Sequence, residues 1–142
     1  MSLLIGRHVY WTLANDADVA ELTEGRIYPL AAEQGISGRA WCTFEVQTTE
    51  PEYTKDGLVC DNHLVTVNCV SPTYDEAIDL AEAVRRALDQ NVVRYPEEGF
   101  GISDASLRGG VEDYDKDQGF VVTLTFDIES EPVTASEEDN TN

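Results

Sequence analysis

Positive charge is what this chain is short of. Only nine of its 142 residues are Lys or Arg, against 28 Asp and Glu, for a formal net charge of −19. Binding a phosphate backbone needs clustered cations that release counterions. Adhesion to an anionic membrane needs them too, so both function classes are excluded by composition. Long apolar runs are also missing, and nothing approaches the ~20 residues of a membrane-spanning helix. Met1-Ser-Leu-Leu-Ile-Gly-Arg7 has no basic leader ahead of an apolar core, which predicts no secretion signal. Cysteine is scarce: Cys42, Cys60 and Cys69 are odd in number and irregular in spacing. That fits reduced thiols better than a disulfide framework. There is no internal repeat, and the length suits one domain with a real core.

What is present is organised around residues 73–89, which read as one amphipathic helix. Ala77, Leu80, Ala81, Val84 and Leu88 make an apolar stripe at helical spacing. Thr73 and Glu76 have the spacing of a capping box. Glu82 and Arg86 form a favourable i, i+4 pair, and the acids lead while Arg85 and Arg86 trail, as the helix dipole prefers. A one-sided helix implies a sheet for it to cover.

The rest of the chain supplies that sheet. Residues 2–14 carry Ile5, Val9 and Leu13 at i, i+4, i+8 and predict a first helix. Asn15 or Asp16 can cap a second, short one bearing Val19 and Leu22 and stopped by Gly25. Arg26–Leu30 is extended because Pro29 pushes Tyr28 out of the helical region, and residues 31–38 form a loop. Trp41–Gln47 alternates, with Cys42, Phe44 and Val46 on the core face. Residues 48–60, with Pro51 and an Asp56-Gly57 turn signal, read as a long connecting loop of the kind that often does the work. His63–Val70 is a strand with Val65, Val67 and Cys69 inward. After the helix and a break at Tyr95–Gly99, Gly101–Leu107 is a strand that can continue past a bulge at Gly109-Gly110 to Tyr114. An acidic turn spans Asp113–Gly119, and Phe120–Ile128 alternates most clearly of all. The expectation is an α+β domain over residues 1–128: a mostly antiparallel sheet of about four strands with helices on one face. The acidic remainder, 129–142, reads as a disordered tail.

Signals for chemistry are weak. Cys60, His63 and Cys69 offer three zinc-type donors, but Cys69 shares a face with Val65 and Val67, as a buried thiol does, and no fourth ligand is evident. His63 lacks a nucleophile in an activating context. Asp113, Asp115 and Asp117 have part of the spacing of a calcium loop without its Gly and its bidentate Glu. Gly99, Gly101, Gly109 and Gly110 lack the strand–loop–helix setting of a phosphate cradle. The residues point to no enzyme, no metal and no cofactor. Two rivals stay open on this ground alone: an acidic decoy that mimics DNA and inhibits a DNA-binding enzyme, and a small metal- or ligand-binding domain.

Gly25-Arg-Ile-Tyr-Pro-Leu30, the strand Leu64–Val70, and Ser71-Pro-Thr-Tyr-Asp-Glu-Ala77 through Ala81–Leu88 together resemble the tail-completion family of long-tailed bacteriophages and prophages, also described as tail terminators or head–tail joining proteins. The likeness runs from the first helix to Ile128. The chain departs from the pattern at Gly38-Arg-Ala-Trp41, where the family often has a Pro-aromatic pair. The resemblance implies a structural, non-enzymatic protein. It forms a homo-oligomeric ring, commonly of six copies, that ends tail-tube growth and joins tail to head. The partners implied are the chain itself, the tail-tube protein and a head-connector protein, in the host cytoplasm during assembly and then in the virion tail. Pro51, Tyr53, Lys55, Asp56 and Leu58, in the long loop, and Thr66 and Asn68, on the polar sheet face, are the expected partner or ring contacts.

Overall fold

A computed structural model describes residues 4–31, 38–49, 52–54 and 57–133. The elements in order are α1 (Ile5–Asn15), α2 (Ala17–Thr23), β1 (Ile27–Pro29), β2 (Trp41–Thr48), β3 (Glu52–Thr54), β4 (Gly57–Ser71), α3 (Tyr74–Leu88), β5 (Arg94–Tyr95), β6 (Phe100–Asp115) and β7 (Gly119–Pro132), with a 3₁₀ turn at Pro96–Glu98. The fold is α+β as expected. The sheet is wider than four antiparallel strands, because six strands lie in the order β1-β2-β4-β7-β6-β5 and β3 pairs with β4 off that path. The expected four form its centre. The mixed character comes from β1, which lies parallel to β2 with Ile27 opposite Cys42. The margins are very short, since β1 has three residues and β5 two.

The alternation seen in the sequence becomes cross-strand rows. Phe44, Val67 and Leu124 are in register, as are Val46, Val65, Phe126 and Leu107. These side chains merge with Ile5, Val9 and Leu13 of α1 and with Ala77, Leu80, Val84 and Leu88 of α3 in one buried cluster, so the helices cover a single face. β6 passes Gly109 with a register shift between Leu107 and Gly109, the bulge expected there, and continues to Asp115.

Two start signals come out differently. Asp16 caps α2, its Oδ1 accepting from the N–H of Asp18 and Val19. Thr73 occupies the cap position of α3 but makes no side-chain bond. Ser71 takes over: its Oγ donates to Glu76 and accepts from the Thr73 N–H. The capping box is lost because a hydroxyl two residues earlier reaches Glu76 first.

The 48–60 loop is also corrected. Its described part is a hairpin, with Glu52–Thr54 paired to Gly57–Cys60. β4 joins β7 only from Asp61 and β2 only from His63. Gly57–Cys60 therefore carries β3 past the sheet as a two-stranded ribbon, over about 13 Å at strand rise. At the other terminus β7 runs to Pro132, past the expected boundary at Ile128, with Ser130 and Val133 buried. The rest of the expected tail lies outside the described residues.

Gly119 closes the β6–β7 turn against the end of β4. Its φ is +105°, and a Cβ there would stand 2.5 Å from the Ser71 carbonyl oxygen. Gly119→Ala is expected to cost about 2 kcal/mol in urea denaturation, from backbone strain with the clash added. A change under ~0.5 kcal/mol would show that the turn relaxes freely.

Candidate functional site

The donors singled out for metal chemistry do not converge. Cys42 and Cys69 face each other across β2 and β4, both fully buried. Burial pushes the Cys42 thiol up to about 12 and the Cys69 thiol well up, the latter reinforced by Cys42. Both behave as small core hydrophobes. Cys60 is buried on the ribbon side of β4. Among the described residues no group of three or more His, Cys, Asp or Glu is placed to hold a metal ion.

His63 sits in a polar knot at the end of the core. Its Nδ1 lies 2.9 Å from Thr48 Oγ1 and its Nε2 lies 2.8 Å from Ser130 Oγ. Burial lowers its proton affinity, and the nearby Asp61 carboxylate opposes that only in part. A serine hydroxyl on an imidazole is half of a nucleophile–base pair. Here Ser130 is 1% exposed and His63 2%, so neither reacting atom faces a substrate, and the far nitrogen meets a threonine in place of an orienting carboxylate. The knot satisfies buried polar groups where β2, β4 and β7 meet. Ser130 was findable: it continues the inward register of Phe126 and Ile128.

A second buried imidazole, His8 on α1, was not singled out from the sequence. Its Nδ1 lies 2.8 Å from the Tyr95 hydroxyl, and the Tyr95 ring packs between His8, Trp11 and Phe100. His8 Nε2 is buried with no hydrogen-bond partner among the described residues.

The expected partner contacts fall in two separate places. Tyr53 projects from the ribbon and is 64% exposed. Leu58 lies on the paired strand of that ribbon, with its side chain outside the description, and Pro51, Lys55 and Asp56 lie outside the described residues. Thr66 and Asn68 lie about ten residues further along β4, roughly 30 Å away at strand rise. Asn68 is already engaged across three strands: its Nδ2 donates to Thr43 Oγ1 and its Oδ1 accepts from Thr123 Oγ1. This ladder rigidifies the polar face.

Comparison with known proteins places this geometry. A family model described as Tail completion protein gp17 matches residues 7–129. Among solved structures, a chain in the "Virion of native gene transfer agent (GTA) particle" has the same fold, with a TM-score of 0.64 and 19% identity over 87% of this chain and 91% of that one. No curated protein matches the chain.

Proposed function

We infer the role of this chain from its kinship: it belongs to the tail completion protein gp17 family. It is a structural tail-completion protein of a phage-type virion tail. Beyond that, we propose that it assembles with itself into a closed ring, of six copies as the resemblance implies. The ring stops growth of the tail tube and presents the surface to which the head connector attaches. Assembly takes place in the host cytoplasm. The protein works by contact and catalyses nothing, and its partners are its own copies, the tube protein and the connector.

The observation that carries this reading is the extent of the family match, which takes in the chain from α1 nearly to the end of β7. Physical features agree with it. Tyr53 and Leu58 lie on the paired strands of a ribbon at the end of β4, as an element that reaches a partner would, and Pro51, Lys55 and Asp56 neighbour them in sequence. Thr66 and Asn68 lie on the polar face. A net charge of −19 suits a passage through which DNA slides without sticking.

Light scattering and negative-stain images of the purified chain test the proposal. Closed rings are expected, and tubes assembled with the ring should have a defined length while tubes without it overgrow. A monomer that leaves tube length unchanged would overturn it. Retention of DNA in low salt would overturn the account of the passage.

A further inference from the structure

Cys42 and Cys69 are directly opposite in the β2–β4 register. Opposite residues of an antiparallel pair are of two kinds, and the direction of the backbone tells which this is. The Cys42 N–H donates to the Arg26 carbonyl at 3.0 Å, on the β1 side of β2. Phe44 turns the same way, its carbonyl accepting from the Leu30 N–H at 2.8 Å. The backbone of Cys42 therefore points away from β4, and Cys42–Cys69 is a non-hydrogen-bonded pair. In this closer kind the Cα atoms stand about 4.5 Å apart and the side chains converge.

A disulfide asks for Cα atoms roughly 4.4–6.8 Å apart and for Cβ vectors that face each other. Both cysteine side chains lie in the core cluster on one face of the sheet, so the pair meets both conditions. The Cβ spacing of such pairs, about 4.5 Å, is at the upper edge of the disulfide range. A bond closed there carries some strain and opens readily to a reductant. Cys60 cannot compete, since it lies on the same strand as Cys69, about 30 Å away.

We propose that Cys42 and Cys69 form a latent cross-strand disulfide, open while the chain is assembled and closed in the released particle. The occasion for closing rests on the virion reading above, because the cytosol keeps thiols reduced and virion surfaces meet oxidising surroundings. The geometry does not rest on it. The oxidant is a low-molecular-weight disulfide such as oxidised glutathione. One cysteine thiolate attacks it, forming a mixed disulfide and releasing one glutathione thiolate. The other cysteine then attacks the protein sulfur, closing the bridge and releasing the second glutathione. Two protein thiols are oxidised, one small disulfide is reduced, and the two protons pass to the leaving thiolates. Both cysteines are fully buried, which confines the first attack to moments when the sheet margin opens, and β1 guards Cys42 with three residues only. The closed bridge ties β2 to the centre of the sheet.

Incubating the reduced chain with oxidised glutathione, then mapping peptides without reductant, tests this. The peptides holding Cys42 and Cys69 are expected to be joined, with Cys60 outside the bridge. The bridged form should melt at least ~5 °C higher, because the cross-link constrains the unfolded chain. In Cys69→Ala the same treatment should bring no such gain. Refolding from urea in that buffer removes burial as an obstacle, so a Cys42–Cys69 pair that stays unbridged through it would overturn the proposal. In released particles the same two peptides should be joined, and particles carrying the pair reduced would overturn the switch. Neither readout depends on ring formation or tube length, so the function proposed above stands or falls separately.

Discussion

Phe126→Ala is expected to destabilise the protein by about 4 kcal/mol. Phe126 has no solvent exposure and stands in register between Val65 and Leu107 in the middle of the core face. Truncation forfeits the transfer free energy of the ring and leaves a void. Both flanking strands are hydrogen-bonded along their length, so they cannot move in to fill it. For a domain of this size the loss corresponds to a melting temperature lower by roughly 10–15 °C. Urea unfolding should show the midpoint move with the slope unchanged, because the same surface is still exposed on unfolding. A loss below ~2 kcal/mol would mean that α3 settles onto the sheet and closes the void.

Acidification is expected to remove about 3 kcal/mol of stability through His8 alone. Burial lowers the His8 pKa from 6.5 to about 4. Between those values the unfolded chain binds a proton that the folded chain refuses, so stability rises with pH across that window and falls as pH drops from 6.5 to 4. Below about 4 both states are protonated and the loss levels off. Titration of carboxylates relieves self-repulsion in the same range, so the His8 contribution is read as a difference. His8→Phe removes the titrating group and the unpartnered Nε2, and gives up the bond to Tyr95. Against wild type, the variant should gain about 3 kcal/mol between pH 7 and pH 4 in urea midpoints. Parallel curves for the two proteins would show that His8 is not protonated on unfolding.

Local patterns carried most of the fold into the sequence. The α3 stripe, the Asp16 cap and the alternation of β2, β4 and β7 are short-range signals, and each appears in place. What escaped was long-range or non-periodic. The parallel pairing of β1 with β2 joins segments across a connection that leaves no mark on either strand. The ribbon at 52–60 carries no apolar alternation in its sequence, so nothing announces a strand there, although the Asp56-Gly57 turn signal was legible. His8 lies three residues after Ile5 on the stripe that also holds Val9 and Leu13. Spacing alone would have placed it inside, but its polarity argued otherwise. Of the expected contact residues, Tyr53 is exposed, as an aromatic in a polar stretch suggested.

The three-residue β1 and the two-residue β5 have a consequence for how copies can add. A long bare flank would template one chain after another by backbone pairing alone, without any count at which to stop. Here β1 covers only Cys42–Phe44 of β2, and β5 only Phe100 and Gly101 of β6. Among the described residues β6 beyond Leu107 has no strand on its outer side, while the bulge between Leu107 and Gly109 breaks the spacing of that edge. Pairing of main chain on main chain is open there only over a short, kinked length, so particular side chains and their angles must share in setting the stoichiometry.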